Sequence, residues 1–155
     1  MSCTRRNFLH GLAATGSLCA TAAVGLIAPL RVLAATTRAA FSATGVEEVL
    51  NELGAAQAIE TSDVVIEAPE VANNGAMVPI TVESRIAGTD YIAVIAEKNP
   101  FPLIAEFQFE SGANAYVATR IKMMESAPVK AIVKAQGKVY VASRTVEVTI
   151  GGCGG

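Results

Sequence analysis

The sequence predicts an all-β fold: an immunoglobulin-like antiparallel β-sandwich, preceded by a short amphipathic helix and followed by a flexible C-terminal arm. Three observations carry this. From Asp63 onward, β-branched and aromatic residues fall in short runs. Those runs are separated by turn signals at Asn74-Gly75, Ala87-Gly88, Asn99-Pro100 and Gln136-Gly137. No helical pattern interrupts them. A chain of 155 residues and 16.0 kDa, 52% hydrophobic and 17% charged, has material for one core and little more.

The first element is an address. Thr4-Arg5-Arg6-Asn7-Phe8-Leu9 sets two arginines before an uncharged apolar stretch from Leu12 to Ala28, which Pro29 closes. This is the pattern of a twin-arginine export signal. Gly16, Ser17 and Gly25 keep the stretch less apolar than a membrane-spanning helix. Val32-Leu33-Ala34 suits a signal peptidase, so residues 1–34 form the signal and cleavage falls after Ala34, with Ala35 the alternative. The mean hydropathy of +0.43 owes much to this segment. Cys19 does not fit a lipid-attachment site, because Leu18 before it is bulky. The expected location is the periplasm, with no membrane attachment after cleavage.

Residues 35–150 follow as the helix and sandwich. Thr44-Gly45-Val46-Glu47 reads as a capping box, with the Thr44 hydroxyl accepting from the Glu47 amide and the Glu47 carboxylate reaching back. Val46, Val49, Leu50 and Leu53 recur at helical spacing and Gly54 ends the pattern, so the helix must lay an apolar stripe on the following domain. Strands are expected over residues 64–67, 78–86, 91–97, 103–110, 116–123, 129–135 and 138–150. Asn74-Gly75 and Gln136-Gly137 are expected to form tight turns with positive φ. Phe101, Phe107, Phe109, Tyr116 and Tyr140 read as core and face-filling residues, and Met123-Met124 as alternating strand packing. Arg120 and Lys122 share a strand face, either solvated or part of a docking surface for an anion or acidic partner.

Composition excludes several chemistries. The whole chain has a formal net charge of -2 and no Lys/Arg run, which argues against nucleic acid as a partner. Removal of the signal takes away Arg5, Arg6 and Arg31, leaving nine basic against fourteen acidic residues, a net charge of -5. It also removes Cys3, Cys19 and His10, the only histidine. Without imidazole there is no Ser-His-Asp or Cys-His hydrolysis, and with one thiol no CxxC pair. Zinc, blue-copper and haem sites lose their usual ligands, so no metal and no cofactor are expected. Asp63, Asp90 and the twelve glutamates are mostly spaced singly along strand-like runs, as solvated faces are, and no motif pairs them for glycoside hydrolysis.

The informative feature is the end of the chain. Val146-Glu147-Val148-Thr149-Ile150 alternates as a strand, and Gly151-Gly152-Cys153-Gly154-Gly155 then closes the protein. Four glycines offer no side chain to pack and leave the backbone many conformations, so residues 151–155 are expected to be a mobile arm. Cys153 then reaches on the order of 10 Å beyond the last strand and enters narrow clefts. Such an arm cannot hold a helix N-terminus, a base or a cation beside the sulfur, so the thiol stays near its ordinary pKa of about 8.5 and is not a catalyst by itself. In an oxidising compartment its fates are a mixed disulfide, an adduct with a sulfur species, or a dimer.

At these residues the chain resembles the SoxY family, the sulfur carriers of the bacterial Sox thiosulfate-oxidising system. Val148-Thr149-Ile150-Gly151-Gly152-Cys153-Gly154-Gly155 is similar to the family's C-terminal signature. The likeness extends to the twin-arginine signal, to Ala68-Pro69-Glu70-Val71-Ala72-Asn73-Asn74-Gly75-Ala76, to Lys98-Asn99-Pro100-Phe101-Pro102-Leu103 and to Thr119-Arg120-Ile121-Lys122-Met123. The resemblance implies that Cys153 is the covalent attachment point for sulfur intermediates, with Gly151, Gly152, Gly154 and Gly155 as the swinging arm. It implies a heterodimer with SoxZ, a small β-sandwich protein without its own signal that is co-exported in the folded state. It further implies that SoxAX, a c-type haem complex, joins thiosulfate to the thiol, that the SoxB hydrolase releases sulfate, and that a sulfane dehydrogenase, where present, oxidises the remaining sulfur. Two other classes stay in view. A ubiquitin-like carboxylate carrier also ends in Gly-Gly but needs cytoplasmic ATP, against the export signal. An immunoglobulin-like periplasmic binding or adhesion module would carry the tail incidentally.

Overall fold

The computed structural model describes residues 39–149. The expected export signal over residues 1–34, Ile150 at the end of the last expected strand, Cys153 and Gly151, Gly152, Gly154 and Gly155 lie outside the described residues. Among the described residues no helix is long and apolar enough to cross a membrane.

A single helical turn over residues 39–42 leads into helix α1 (Val46–Glu52). The capping is not the expected box. Gly45 is the N-cap in an extended conformation (φ -118°, ψ 145°) with no side-chain cap, so Thr44 stands one residue outside and its hydroxyl is out of register. The third helical residue is Glu48, not Glu47, and its carboxylate accepts from the Thr44 amide at 3.2 Å. The helix stops as its sequence demands. Gly54 takes φ +67°, its amide donates to the Asn51 carbonyl (3.0 Å), and the Ala55 amide donates to the Leu50 carbonyl (2.6 Å). That pair of bonds is a Schellman cap, which needs a residue free of Cβ strain at the left-handed position.

Among the described residues nine strands follow: β1 (Ile59–Glu60), β2 (Val64–Glu67), β3 (Val71–Ala72), β4 (Val78–Ser84), β5 (Thr89–Ala96), β6 (Leu103–Gln108), β7 (Tyr116–Ile121), β8 (Ala127–Ala135) and β9 (Lys138–Val148). One sheet runs β1-β9-β8-β5-β6 with β3 also on β9; the other runs β2-β4-β7. All seven expected strands are present, each end within two residues of where it is expected. The two additional strands are two residues long and pair parallel with β9, at Ile59↔Tyr140 and Glu60↔Val141 and at Val71↔Glu147 and Ala72↔Val148. Between them the chain crosses to the second sheet as β2.

Alternation along the strands divides the apolar residues between two cores. Ile92, Val94, Val129, Ala131, Val133 and Val146 face Val64, Ile66, Val78, Ile80, Val82 and Val117 between the sheets. The opposite face of the larger sheet offers Ala93, Ile95, Leu103 and Ile132, and Val49 of α1 and Leu53 at its C-cap cover them. Burying each of those two side chains contributes about 1.5–3 kcal/mol. The helix thus packs on the following domain as expected. Being covered on both faces, β5 is buried without a break from Ile92 to Ala96.

The Gln136-Gly137 turn has positive φ at both residues (51° and 73°), the primed turn that joins two antiparallel strands. Asn74-Gly75 is different. Gly75 has no positive φ; the Asn74 side chain accepts from the Ala76 amide at 2.9 Å and shapes the turn instead. Phe107, Phe109 and Tyr140 pack against the inter-sheet core, but Phe101 and Tyr116 do not. Tyr116 shares the outward face of β7 opposite buried Val117, and Phe101 stands in the turn before β6, where Pro102 takes the buried place. Met123 is buried and Met124 exposed, but both lie beyond the end of β7 at Ile121, so the expected alternating strand packing does not hold there. Arg120 and Lys122 are both exposed.

Candidate functional site

In sequence Cys153 follows the last residue of β9 by five positions, so the candidate site is built from whatever fixes that strand's last residues. Val146 is fully buried and Val148 packs against the inter-sheet core. On one side, the Glu147 amide donates to the Glu70 carbonyl (2.8 Å) and the Thr149 amide to the Ala72 carbonyl (3.0 Å). On the other, the Val148 amide donates to the Ser126 hydroxyl at 2.8 Å. The chain is therefore held by hydrogen bonds through Thr149, four residues before the cysteine.

Three loops meet at this end of the sandwich. The Met123 amide donates to the Gly75 carbonyl at 2.7 Å. Asn99 ties a third segment in: its Nδ2 donates to the Lys122 carbonyl (2.7 Å) and its Oδ1 accepts from the Met124 amide (2.9 Å). Gly75 is required by close approach, since a Cβ there would run into the Met123 carbonyl oxygen and stand 2.7 Å from Val148 Cγ1. Asn74-Gly75, Lys98-Asn99-Pro100-Phe101 and Ile121-Lys122-Met123 are far apart in sequence and together make the base of the tail. Sequence reasoning missed Ser126 because a lone serine in a polar loop carries no signal of its partner.

The chemistry available at this base is limited. Residues 39–149 contain no histidine and no cysteine. Among the described residues no group of three or more His, Cys, Asp or Glu could hold a metal ion. The nearby ion pair, Lys98 to Glu125 at 3.8 Å, is solvent-exposed and worth little. Away from the base, a cleft of about 730 Å³ opens beside β9 between β1 and β2. It is lined in part by Glu60, Thr61, Ser143 and Arg144, and the Arg144 Nε is buried there without a hydrogen-bond partner. Tyr91, on the helix-covered sheet face, donates to Glu106 Oε1 at 2.6 Å with Lys134 over its ring. Burial first, then that hydrogen bond and the Glu106 charge, push its phenol far above the ordinary tyrosine range.

Comparison with known proteins places this geometry. The family model described as sulfur oxidation protein SoxY matches residues 50–153, from the helix through Cys153. Among solved structures, the sulfur carrier protein SoxY from Chlorobium limicola f thiosulfatophilum is 33% identical, with a TM-score of 0.62 over 72% of this chain and 98% of that one. A superoxide reductase (neelaredoxin) from Ignicoccus hospitalis is 22% identical with a TM-score of 0.51, over 57% of this chain and 82% of that one, a likeness of fold alone. No curated protein matches the chain. With two thirds of its length inside the family model and an all-β sandwich matching the solved relative, this chain belongs to the SoxY family of sulfur oxidation proteins.

Proposed function

We propose that this protein is a periplasmic sulfur carrier, exported by the twin-arginine route, that holds thiosulfate-derived sulfur covalently on Cys153 and presents it to the Sox enzymes. The observation that carries this reading is the single thiol left after signal removal, placed four residues beyond a strand end that is hydrogen-bonded through Thr149. The sandwich is the handle and the GGCGG tail the arm. Loading is an oxidation: the thiol and thiosulfate form an S–S bond, releasing one proton and two electrons to a c-type haem partner of the SoxAX kind. Hydrolysis by a SoxB-type enzyme then adds water across the terminal S–S bond, releasing sulfate and a proton and leaving a persulfide on Cys153. The described residues 39–149 offer no histidine or second thiol to activate the sulfur, which supports a reading in which catalysis belongs to the partners and the carrier contributes reach.

SoxZ is the proposed heterodimer partner, brought along in the folded state by the export signal of this chain. Purification of the exported form is expected to recover a second small subunit; recovery of a clean monomer contradicts the pairing. The function itself is tested by replacing the native copy in its host. Wild type restores sulfate formation from thiosulfate, and Cys153→Ser abolishes it while accumulating to the same level. Full sulfate formation by Cys153→Ser would refute the carrier role.

A further inference from the structure

We infer that the exposed apolar side chains of Val71, Met77, Phe101 and Met124 form one docking surface around the base of the tail, on which the active-site mouth of a sulfur-processing enzyme seats. The inference rests on the carrier reading. Among the described residues seven large hydrophobic side chains are exposed, and these four stand on segments joined to one another at the end where β9 terminates. Val71 pairs with Glu147, Met77 is two residues from Gly75, Phe101 is two residues from Asn99, and Met124 bonds Asn99 directly. They are between 48% and 59% exposed, far more than their size and hydrophobicity favour.

The length of the tail says what must cover them. Cys153 is four residues beyond Thr149, so its Cα lies at most about 14 Å from that of Thr149. An active site recessed below an enzyme's surface uses several ångströms of that reach. The enzyme must therefore close on the tail's base before the sulfur arrives, and the surface it meets is this one. The occupant is a protein surface with apolar side chains framing a narrow opening, because that is what buries four apolar groups at once. Lys98, Lys122 and Glu125 supply a polar rim. Two of the four are methionines, whose unbranched side chains repack against differently shaped partners, as a carrier visiting several enzymes requires.

The test compares two double variants of the full-length exported protein. In one, Phe101→Ser is combined with Met124→Ser; in the other, Ile59→Ser with Tyr116→Ser, exposed apolar residues outside the docking surface. Each is incubated with thiosulfate and an extract of the native host, and the loading rate of Cys153 is followed by mass spectrometry. Alkylation of Cys153 by iodoacetamide measures the thiol without any enzyme. The Phe101/Met124 variant should load at least about tenfold more slowly with unchanged alkylation, and the Ile59/Tyr116 variant at the wild-type rate. Wild-type loading by the first variant, equal slowing of both, or parallel loss of alkylation would overturn the docking surface. No loading of the wild type at all would instead overturn the carrier reading, and the docking surface with it.

Discussion

Gly75 and Val148 approach so closely that a single added carbon on Gly75 would stand 2.7 Å from Val148 Cγ1, inside any normal contact. The relationship matters because Val148 is five residues from Cys153 and the Gly75 carbonyl also holds the Met123 amide. The turn at residues 74–77 is thereby a wedge against the strand that carries the tail.

Gly75→Ala is expected to destabilise the fold by about 1–3 kcal/mol, since backbone at Met123 must move as well as a side chain. Urea unfolding of the variant against wild type measures this. A stability equal to wild type would mean that the wedge yields without cost.

Gly54 and Gly45 flank α1 and should respond unequally to alanine. Gly54 holds φ +67° in the Schellman cap, so Gly54→Ala should cost about 1 kcal/mol. Gly45 is extended with nothing within 4 Å of a new Cβ, so Gly45→Ala should change stability by only a few tenths to about 1 kcal/mol, mostly through a poorer N-cap residue. Thermal melts of both variants check the contrast; a larger loss at Gly45 would contradict the cap assignment.

Tyr91 gives the protein an alkaline limit. Its phenol is raised in the folded state, by burial first and then by Glu106, so above the ordinary pKa of about 10 the folded chain binds more protons than the unfolded one. Stability from this group is complete below that pH and falls as pH rises beyond it. Tyr91→Phe should lose the Glu106 bond at neutral pH and show a shallower decline between about pH 10 and 11. Denaturant midpoints across that range test it, and parallel slopes for the two proteins would contradict it.

What could be read from the sequence, and what could not, follows from range. The seven main strands were legible from their β-branched and aromatic runs, helped where burial alternates with period two, as in Val78–Ser84 and Tyr116–Ile121. Strands β1 and β3 are two residues long and exist only because β9 lies beside them, so no local pattern announces them. Asn74-Gly75 looks like a positive-φ turn, yet its glycine answers to Met123 and Val148, about fifty and seventy positions away. Phe101 and Tyr116 look like core in composition, but one lies in a turn and the other on an outward strand face. The site divides the same way. Cys153 and its glycines are written contiguously, whereas the base, with Asn99 reaching Met124 and Ser126 reaching Val148, is assembled from distant segments.

The central claim is that Cys153, and no other group, bears the sulfur. The intact mass of the protein isolated from thiosulfate-fed cells tests it most directly. Wild type should carry added mass that a reductant removes, and Cys153→Ser prepared identically should carry none. The same reductant-labile increments on Cys153→Ser would contradict the account.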